Sequence, residues 1–485
     1  TAIDSLRMVG TLSLTANGVY LDNTTNLSID NSVISVAGSY GVYAQNANTS
    51  SITNSTIDGS YSEAAIKMES CIGCTIDNNT MSNNPYRGIW MNSGFNTTIT
   101  NNTMEVDFYG IESNDGSYYT LNGNTITINN ISTNSGARGI YFNSSEYCTL
   151  NNNTITITNY SYDFYAILNW NDNSNAIVNG NTINAVLYDS IQCGWYDNNN
   201  NSYGPYYVHG IYLYDAQEIN SNTILTDQRS YGSAIYVQQY DWNNVDLTIE
   251  NNHIESFHQR DYTSQGAIYC YTGSSYSGDV LIKNNTIELY GGAQPGITAS
   301  YNADIIGNTI LYSQNRNGGG QCYVQQDGEY LFGIDIQGDH SNIRGNTITN
   351  FAVGMKLNNI TDVVVDSNIV HALSSITSYN GNSWNYTYGK YGIEAQNCDS
   401  LFITNNTITT ETGTLIYQTN GASTIKYNLL ETESGRGISC ENQAGVEFSN
   451  NTVVSTNGNG DYGIHVSNLS APIIKNNIVD NFQNG

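Results

Sequence analysis

One phrase, Asn-Asn-Thr-Ile or a close variant, recurs along the whole chain and restricts what it can fold into. Counting the residue before the Thr-Ile pair as anchor, copies fall at Ser55, Asn79, Asn102, Asn124, Asn153, Asn181 and Asn222. The series continues at Asn252, Asn285, Asn308, Asn346, Asn368, Asn406, Asn428, Asn451 and Asn477, with Ser32 a degenerate first copy. A Gly-Ile or Ala-Ile pair precedes most anchors by 14 residues, as at Gly88, Gly110, Gly139, Gly392 and Gly437. Uninterrupted copies repeat every 22 to 24 residues. Fixed periods of this size are the signature of stacked repeat architectures.

Apolar residues lock to this frame. One, eleven and sixteen places after the Gly come Ile89, Ile99 and Met104, then Ile111, Leu121 and Ile126, and much later Ile438, Phe448 and Val453. Three inward residues on three short strands per repeat describe one rung of a parallel β-solenoid, with rungs about 4.8 Å apart. The expected fold is all-β: a single right-handed parallel β-helix over 1–485, of about 17–18 rungs. Leucine-rich repeats share the period but need a helical segment and Leu at fixed spacing, which are absent. Asn at one corner of successive rungs is expected to form a hydrogen-bonded ladder and to accept the left-handed backbone of a tight corner. The Gly before each Ile reads as another corner.

The pattern Gly-Ile-x…Thr/Asn-Ile-x-Asn-Asn-Thr-Ile resembles the right-handed parallel β-helix repeat of the pectin-lyase-like superfamily. Within it, the Asn-rich copies look most like cell-surface and sheath β-helix proteins of methanogenic archaea. The resemblance spans essentially the whole chain and implies the fold. It is weak for function, because this solenoid carries lyases, hydrolases, epimerases, tailspikes, adhesins and envelope proteins.

Regularity breaks at insertions 184–209, 311–332 and 371–391, with shorter ones at 127–138, 156–165 and 255–266. All lie between an anchor and the next Gly, so they are expected to build a ridge at one corner. The ridge is aromatic: Tyr188, Trp195, Tyr196, Tyr203, Tyr206 and Tyr207, then Tyr379, Trp384, Tyr386, Tyr388 and Tyr391. Such loops suit sugar stacking or a lateral protein contact; the plainer alternative is that they cover the solenoid's apolar flank.

Catalytic signatures are sparse. Asp215, Asp241, His258, Arg260 and Asp261 form the best candidate cluster beside the ridge, with solvated surface charge as the competing reading. The paired-Asp and Gly-His-Gly signatures of polygalacturonase-like enzymes are absent, and Gly333-Ile334-Asp335 matches the Asp-Pro-His signature of alginate epimerases poorly. Neither a metal site nor a cofactor is expected, since the six His are scattered and Cys71-x-x-Cys74 has no second pair.

Fourteen Lys+Arg against 42 Asp+Glu give a net charge of −28, which argues against nucleic acid or an anionic membrane surface. No apolar run approaches the roughly 20 residues of a membrane span. The even set Cys71, Cys74, Cys148, Cys193, Cys270, Cys322, Cys398 and Cys440 fits extracellular disulfides, some between subunits. Eighteen Asn-x-Ser/Thr sequons, among them Asn23, Asn96, Asn143, Asn359, Asn385 and Asn468, support a secreted, glycosylated protein.

The chain begins at Thr1 without Met, which reads as processed or excised. Neither end carries a capping helix, so open terminal rungs are expected to pair with other copies. The expected function is a structural subunit of an extracellular sheath, surface layer or filament, with itself as partner. The alternatives are a polysaccharide-active enzyme, or an adhesin that binds cell-surface glycans.

Overall fold

The computed structural model describes all residues except 1, 12–16, 60, 84–85, 130–135, 158–162, 171–174, 186–207, 229–231, 241–244, 263–264, 274–275, 301, 314–330, 373–390, 412, 442–444 and 485. The chain divides into two compact units, one reaching to Val245 and one running from Asp246 to Gly485. Each is a parallel β-solenoid built from three-strand rungs. In the first unit a representative rung comprises Arg87–Asn92, Thr98–Thr100 and Thr103–Val106. Strands of successive rungs pair in parallel and mostly in fixed register: Ile99 lies beside Ile76 and Leu121, and Met104 beside Met81 and Ile126, with local shifts at Gly38/Tyr40, His258/Tyr262 and Thr349/Phe351.

The first sheet holds strands such as Thr98–Thr100, the second holds the strands that follow the anchor, such as Thr103–Val106, and the third holds the Gly-Ile strands, such as Arg87–Asn92. The three inward slots behave as the spacing predicts. Ile89, Ile99, Met104, Ile111, Leu121 and Ile126 are all fully buried, as are Ile393, Ile403, Ile408, Ile438, Phe448 and Val453 in the second unit. Each such side chain contributes about 1.5–3 kcal/mol of burial, so the columns dominate stability in both units.

Two different Asn residues share the work at the anchor. The second of each pair is buried and forms the ladder. Asn102 Nδ2 donates to Asn124 Oδ1 at 3.0 Å and to the Ile76 carbonyl at 2.9 Å, while its N–H donates to the same Asn124 oxygen. The pattern repeats from Asn79 to Asn222 in the first unit and from Asn252 to Asn477 in the second. The residue before it takes the left-handed corner: Asn78, Asn101 and Asn152 have φ near 54°. Each ladder bond contributes about 0.5–1.5 kcal/mol.

The glycine before each Ile is not a corner. Gly110 and Gly139 lie inside extended strands Tyr109–Asn114 and Ala137–Asn143. A Cβ on Gly110 would meet Ile126 Cγ2 at 2.4 Å and the Gly139 carbonyl at 2.5 Å. Close approach of the second sheet's Ile, not a positive φ, requires glycine here.

The cysteines also differ from expectation. Cys71, Cys74, Cys148, Cys270, Cys398 and Cys440 are free and buried, and among the described residues no disulfide forms. Several sit at corners: Cys148 and Cys398 donate to the carbonyls of Glu146 and Gln396 two residues earlier, the same local bond that Ser32 and Ser55 make to Asp30 and Thr53 at the anchor. Small size and a weak donor suit such corners, and burial pushes the Cys148 thiol up to about 12. Cys193 and Cys322 lie outside the described residues. The long insertions run from a second-sheet strand to a third-sheet strand, as Thr182–Ala185 and Val208–Tyr214 show, whereas 255–266 lies largely within the second-sheet strand His253–Tyr262 and is not a loop over those residues.

Candidate functional site

Alternation along a strand sends every second residue outward, so each sheet displays columns of outward side chains. In the first unit two of the three faces are small and polar. The first sheet shows Thr75 and Asp77, Thr98 and Thr100, Thr120 and Asn122, Thr149 and Asn151. The second shows Thr80, Thr103, Thr125 and Thr154. The third is different. Its column two places beyond the small residue runs Tyr20, Tyr43, Lys67, Trp90, Glu112, Tyr141, Leu168, Tyr212 and Tyr236. A second column, just before the small residue, runs Arg87, Tyr109, Arg138, Tyr165 and His209.

The cations are sandwiched by rings. Lys67 Nζ lies 4.4 Å from the Trp90 ring centroid and 4.8 Å from that of Tyr43, and pairs with Glu69 at 3.2 Å. The Tyr43 hydroxyl donates to the same carboxylate at 2.6 Å. That bond, followed by the Lys67 ammonium, holds the Glu69 carboxyl below its ordinary value. Arg87 stacks on Trp90 at 4.5 Å, Tyr86 at 4.8 Å and Tyr109 at 5.3 Å. Its Nε donates to Glu112, and its Nη1 pairs with Glu63 at 3.3 Å. Arg138 lies 4.5 Å from Tyr141 and donates to the Tyr109 hydroxyl at 2.8 Å. Each cation–ring contact contributes about 0.5–2 kcal/mol.

Further along, the same face becomes uncharged. Tyr212 and Tyr236 stack at 4.3 Å with planes 2° apart, Tyr165 stacks on His209 at 5.2 Å, and Tyr214 on Tyr240 at 5.6 Å. Trp170 stands beside Tyr212 with half its surface in solvent. His209 is buried and its Nδ1 accepts the Ser233 N–H at 3.2 Å; burial drives its pKa down to about 3, so it packs as a neutral ring. A second aromatic cluster, Phe95, Tyr118 and Tyr147, projects from a corner of the first unit. There Tyr118 and Tyr147 stack on one another at 4.9 Å, so they spend a face of each ring on mutual contact.

The residues singled out in sequence fare unevenly. Asp215 is a buried left-handed corner residue whose Oδ1 accepts the Tyr240 N–H at 2.7 Å. Asp241 lies outside the described residues. His258, Arg260 and Asp261 belong to the strand His253–Tyr262 of the second unit. The aromatic candidates Tyr188, Trp195, Tyr196, Tyr206, Tyr207, Trp384, Tyr386 and Tyr388 lie outside the described residues. Asn23, Asn96, Asn359 and Asn468 are exposed left-handed corner residues, Asn143 is half-buried, and Asn385 lies outside the described residues. Among the described residues no group of three or more His, Cys, Asp or Glu could hold a metal ion, and no helix is long and apolar enough to cross a membrane. The third-sheet face was missed in sequence, although an aromatic two places after the Gly, at Tyr43, Trp90, Tyr141 and Tyr212, was a usable signal.

The family model for the right handed beta helix region matches residues 17–183 and 332–485. The chain belongs to this β-helix family. No curated protein matches it. Similar solved structures include a periplasmic alginate epimerase, 12% identical over 78% of this chain and 77% of its own, with TM-score 0.33. The tailspike of E. coli bacteriophage HK620, solved with a pentasaccharide, is 10% identical over 84% of this chain and 68% of its own, with TM-score 0.43. A PL6 alginate lyase is 12% identical over 98% and 88%, with TM-score 0.34. At these values the likenesses carry no argument about chemistry in this β-helix chain.

Proposed function

We propose that the protein binds a polysaccharide along the outer face of the third sheet in its first unit. One observation carries this reading: rings concentrate on that face, while the described strands of the other two faces carry no outward ring and show mostly Thr, Ser, Asn and Asp, with Glu105, Ile177, Glu218 and Leu225 among them. Rungs about 4.8 Å apart present the rings in register along the axis, which suits an extended chain of sugar units. Tyr and Trp offer apolar faces together with polar tips, the combination that sugar rings need. The adjoining column Gln45, Glu69, Asn92, Asn114 and Asn143 supplies four amides and one carboxylate beside the rings, where ligand hydroxyls would pair.

The expectation of a self-assembling sheath subunit has no support in the comparisons, and its lateral-contact residues lie outside the described residues. An extracellular location remains part of the proposal, supported by the exposed sequon residues Asn23, Asn96, Asn359 and Asn468. The test is affinity gel electrophoresis of the full chain against a polysaccharide panel. Retardation that is lost in Trp170→Ala or Trp90→Ala supports the reading; a mobility unchanged by every polysaccharide sinks it.

A second reading, cleavage of a polysaccharide, is favoured by Asp335 in the second unit. Its carboxyl is buried on the outer side of the third sheet, and burial raises its pKa, partly offset by the Gln337 hydrogen bond. Reducing-end release that is abolished in Asp335→Asn would establish it.

A further inference from the structure

We propose that the ligand of this face is an uncharged polysaccharide. This rests on the binding reading above and goes beyond it by naming the substrate class.

The charge on the face is balanced. The third-sheet strands from Tyr61–Glu69 through Arg87–Asn92, Tyr109–Asn114 and Ala137–Asn143 carry Lys67, Arg87 and Arg138 against Glu63, Glu69 and Glu112. The next strands, Phe164–Asn169, Val208–Tyr214 and Ile235–Gln239, contain no Lys, Arg, Asp or Glu. On a chain of net charge −28, the face formed by these strands is neutral. The acids that give the chain its charge lie elsewhere.

The cations are also committed. The Lys67 and Arg87 side chains are only 12% and 15% exposed, and the Glu112 side chain only 9%. To grip a carboxylate or sulfate, Arg87 would have to leave Glu112 and Glu63 and give up its ring contacts. That exchange would strand Glu112 as a buried unpaired charge, a costly change. Arg138 is likewise held between Tyr109 and Tyr141. These cations serve to hold rings in place. Long-range repulsion from the remaining surface disfavours a polyanion further. An uncharged glycan meets none of these costs, and it finds ring faces, tyrosine hydroxyls and the amide column of Asn92, Asn114 and Asn143.

The experiment measures binding of the full chain by affinity electrophoresis and calorimetry. Neutral probes (a β-glucan, a galactomannan, a xylan and a dextran) are compared with polygalacturonate, alginate and a sulfated galactan, at about 0.02 M and about 0.5 M salt. The expected result is binding to a neutral polymer, with Kd changing less than about twofold between the two salts because no ion pair forms across the interface. Binding confined to polyanions, weakened tenfold or more by salt and lost in Trp170→Ala, would overturn the inference and leave the binding site standing. Failure to bind any of the seven polymers would overturn the binding reading, and the inference with it. Should Trp90→Ala fail to fold, Trp170→Ala serves alone, because that ring is half in solvent.

Discussion

In the first unit the outward column of the third sheet reads Tyr43, Lys67, Trp90, Glu112 and Tyr141; in the second it reads Thr298, Asp335, Lys356, Glu394 and Tyr417. The inward columns of the same strands do not differ in this way: Ile66, Ile89, Ile111 and Ile140 in one unit, Ile297, Ile334, Met355 and Ile393 in the other, all buried. The interior is constrained by close packing, where a single methylene is felt. The exterior is not, so it is free to record function. In the first unit rings fix cations and acids into a neutral lattice. In the second, Lys356 has one ring beside it, Phe332 at 4.4 Å, and the Glu394 carboxylate accepts from Gln396.

The equality of the interiors predicts the largest effects. A Cβ on Gly110 meets Ile126 Cγ2 at 2.4 Å, and one on Gly392 meets Ile408 Cγ2 at 2.3 Å, each with a carbonyl within 2.6 Å. Backbone on one side cannot give way, so Gly110→Ala and Gly392→Ala are each expected to cost about 3 kcal/mol. Denaturant unfolding would check this. A loss confined to one variant would break the claim that both interiors are built alike.

The inequality of the exteriors predicts the next. Trp90→Ala removes a ring against which both Lys67 and Arg87 rest, and is expected to weaken glycan binding more than tenfold, about 1.4 kcal/mol. Tyr417→Ala changes the corresponding column of the second unit and is expected to leave Kd within about twofold. Calorimetry on both variants decides. Equal losses would remove the distinction between the two faces.

How much of this was legible beforehand follows from the physics of each feature. The inward slots were readable because a one-residue slip would turn every Ile outward, so period and burial are one signal. The Asn ladder was readable for the same reason, but not the division of labour between Asn78 and Asn79, since φ leaves no trace in composition. Gly110 was misread because glycine serves both positive φ and close approach, and only the neighbouring Ile126 tells which. The ring face is hard to read in sequence because the aromatics are denser in the insertions, while two places after the small residue Tyr43, Trp90, Tyr141 and Tyr212 alternate with Lys67, Glu112 and Leu168. Cysteine parity suggests disulfides, yet Cys148 and Cys398 act as small corner donors that make the same i to i−2 bond as Ser32 does at the anchor.

pH separates the units by an effect of intermediate size. His209 is kept neutral by burial, with its pKa lowered to about 3, whereas an unfolded histidine takes up a proton near 6.5. The unfolded state therefore binds more protons below pH 6.5, and stability is lost as pH falls from there. At pH 5 the loss is about 2 kcal/mol. Protection of the Val208–Tyr214 amides, taken relative to the intrinsic exchange rate at each pH, should fall accordingly, and His209→Phe, which keeps a ring in place, should flatten the dependence. A fall in protection that persists in the variant would show that another group is responsible.

The smallest expected effect lies in the second unit and titrates in a different window. Glu447 pairs with Lys426 and Lys475, each at 3.0 Å, and these bonds hold its carboxyl down to about 2. A depressed carboxylate stabilises above its unfolded value of about 4.5, and that contribution disappears as pH falls toward 2. The group is partly exposed, so solvent screening keeps the effect small. Between pH 7 and pH 5 protection at Glu447–Ser449, relative to the intrinsic exchange rate, should hold steady while that of Val208–Tyr214 falls; between pH 4.5 and pH 2.5 protection at Glu447–Ser449 should fall in the wild type and not in Glu447→Gln. Loosening of both strands together above pH 5 would mean that a shared acid transition, and not these two local groups, governs the response of both units.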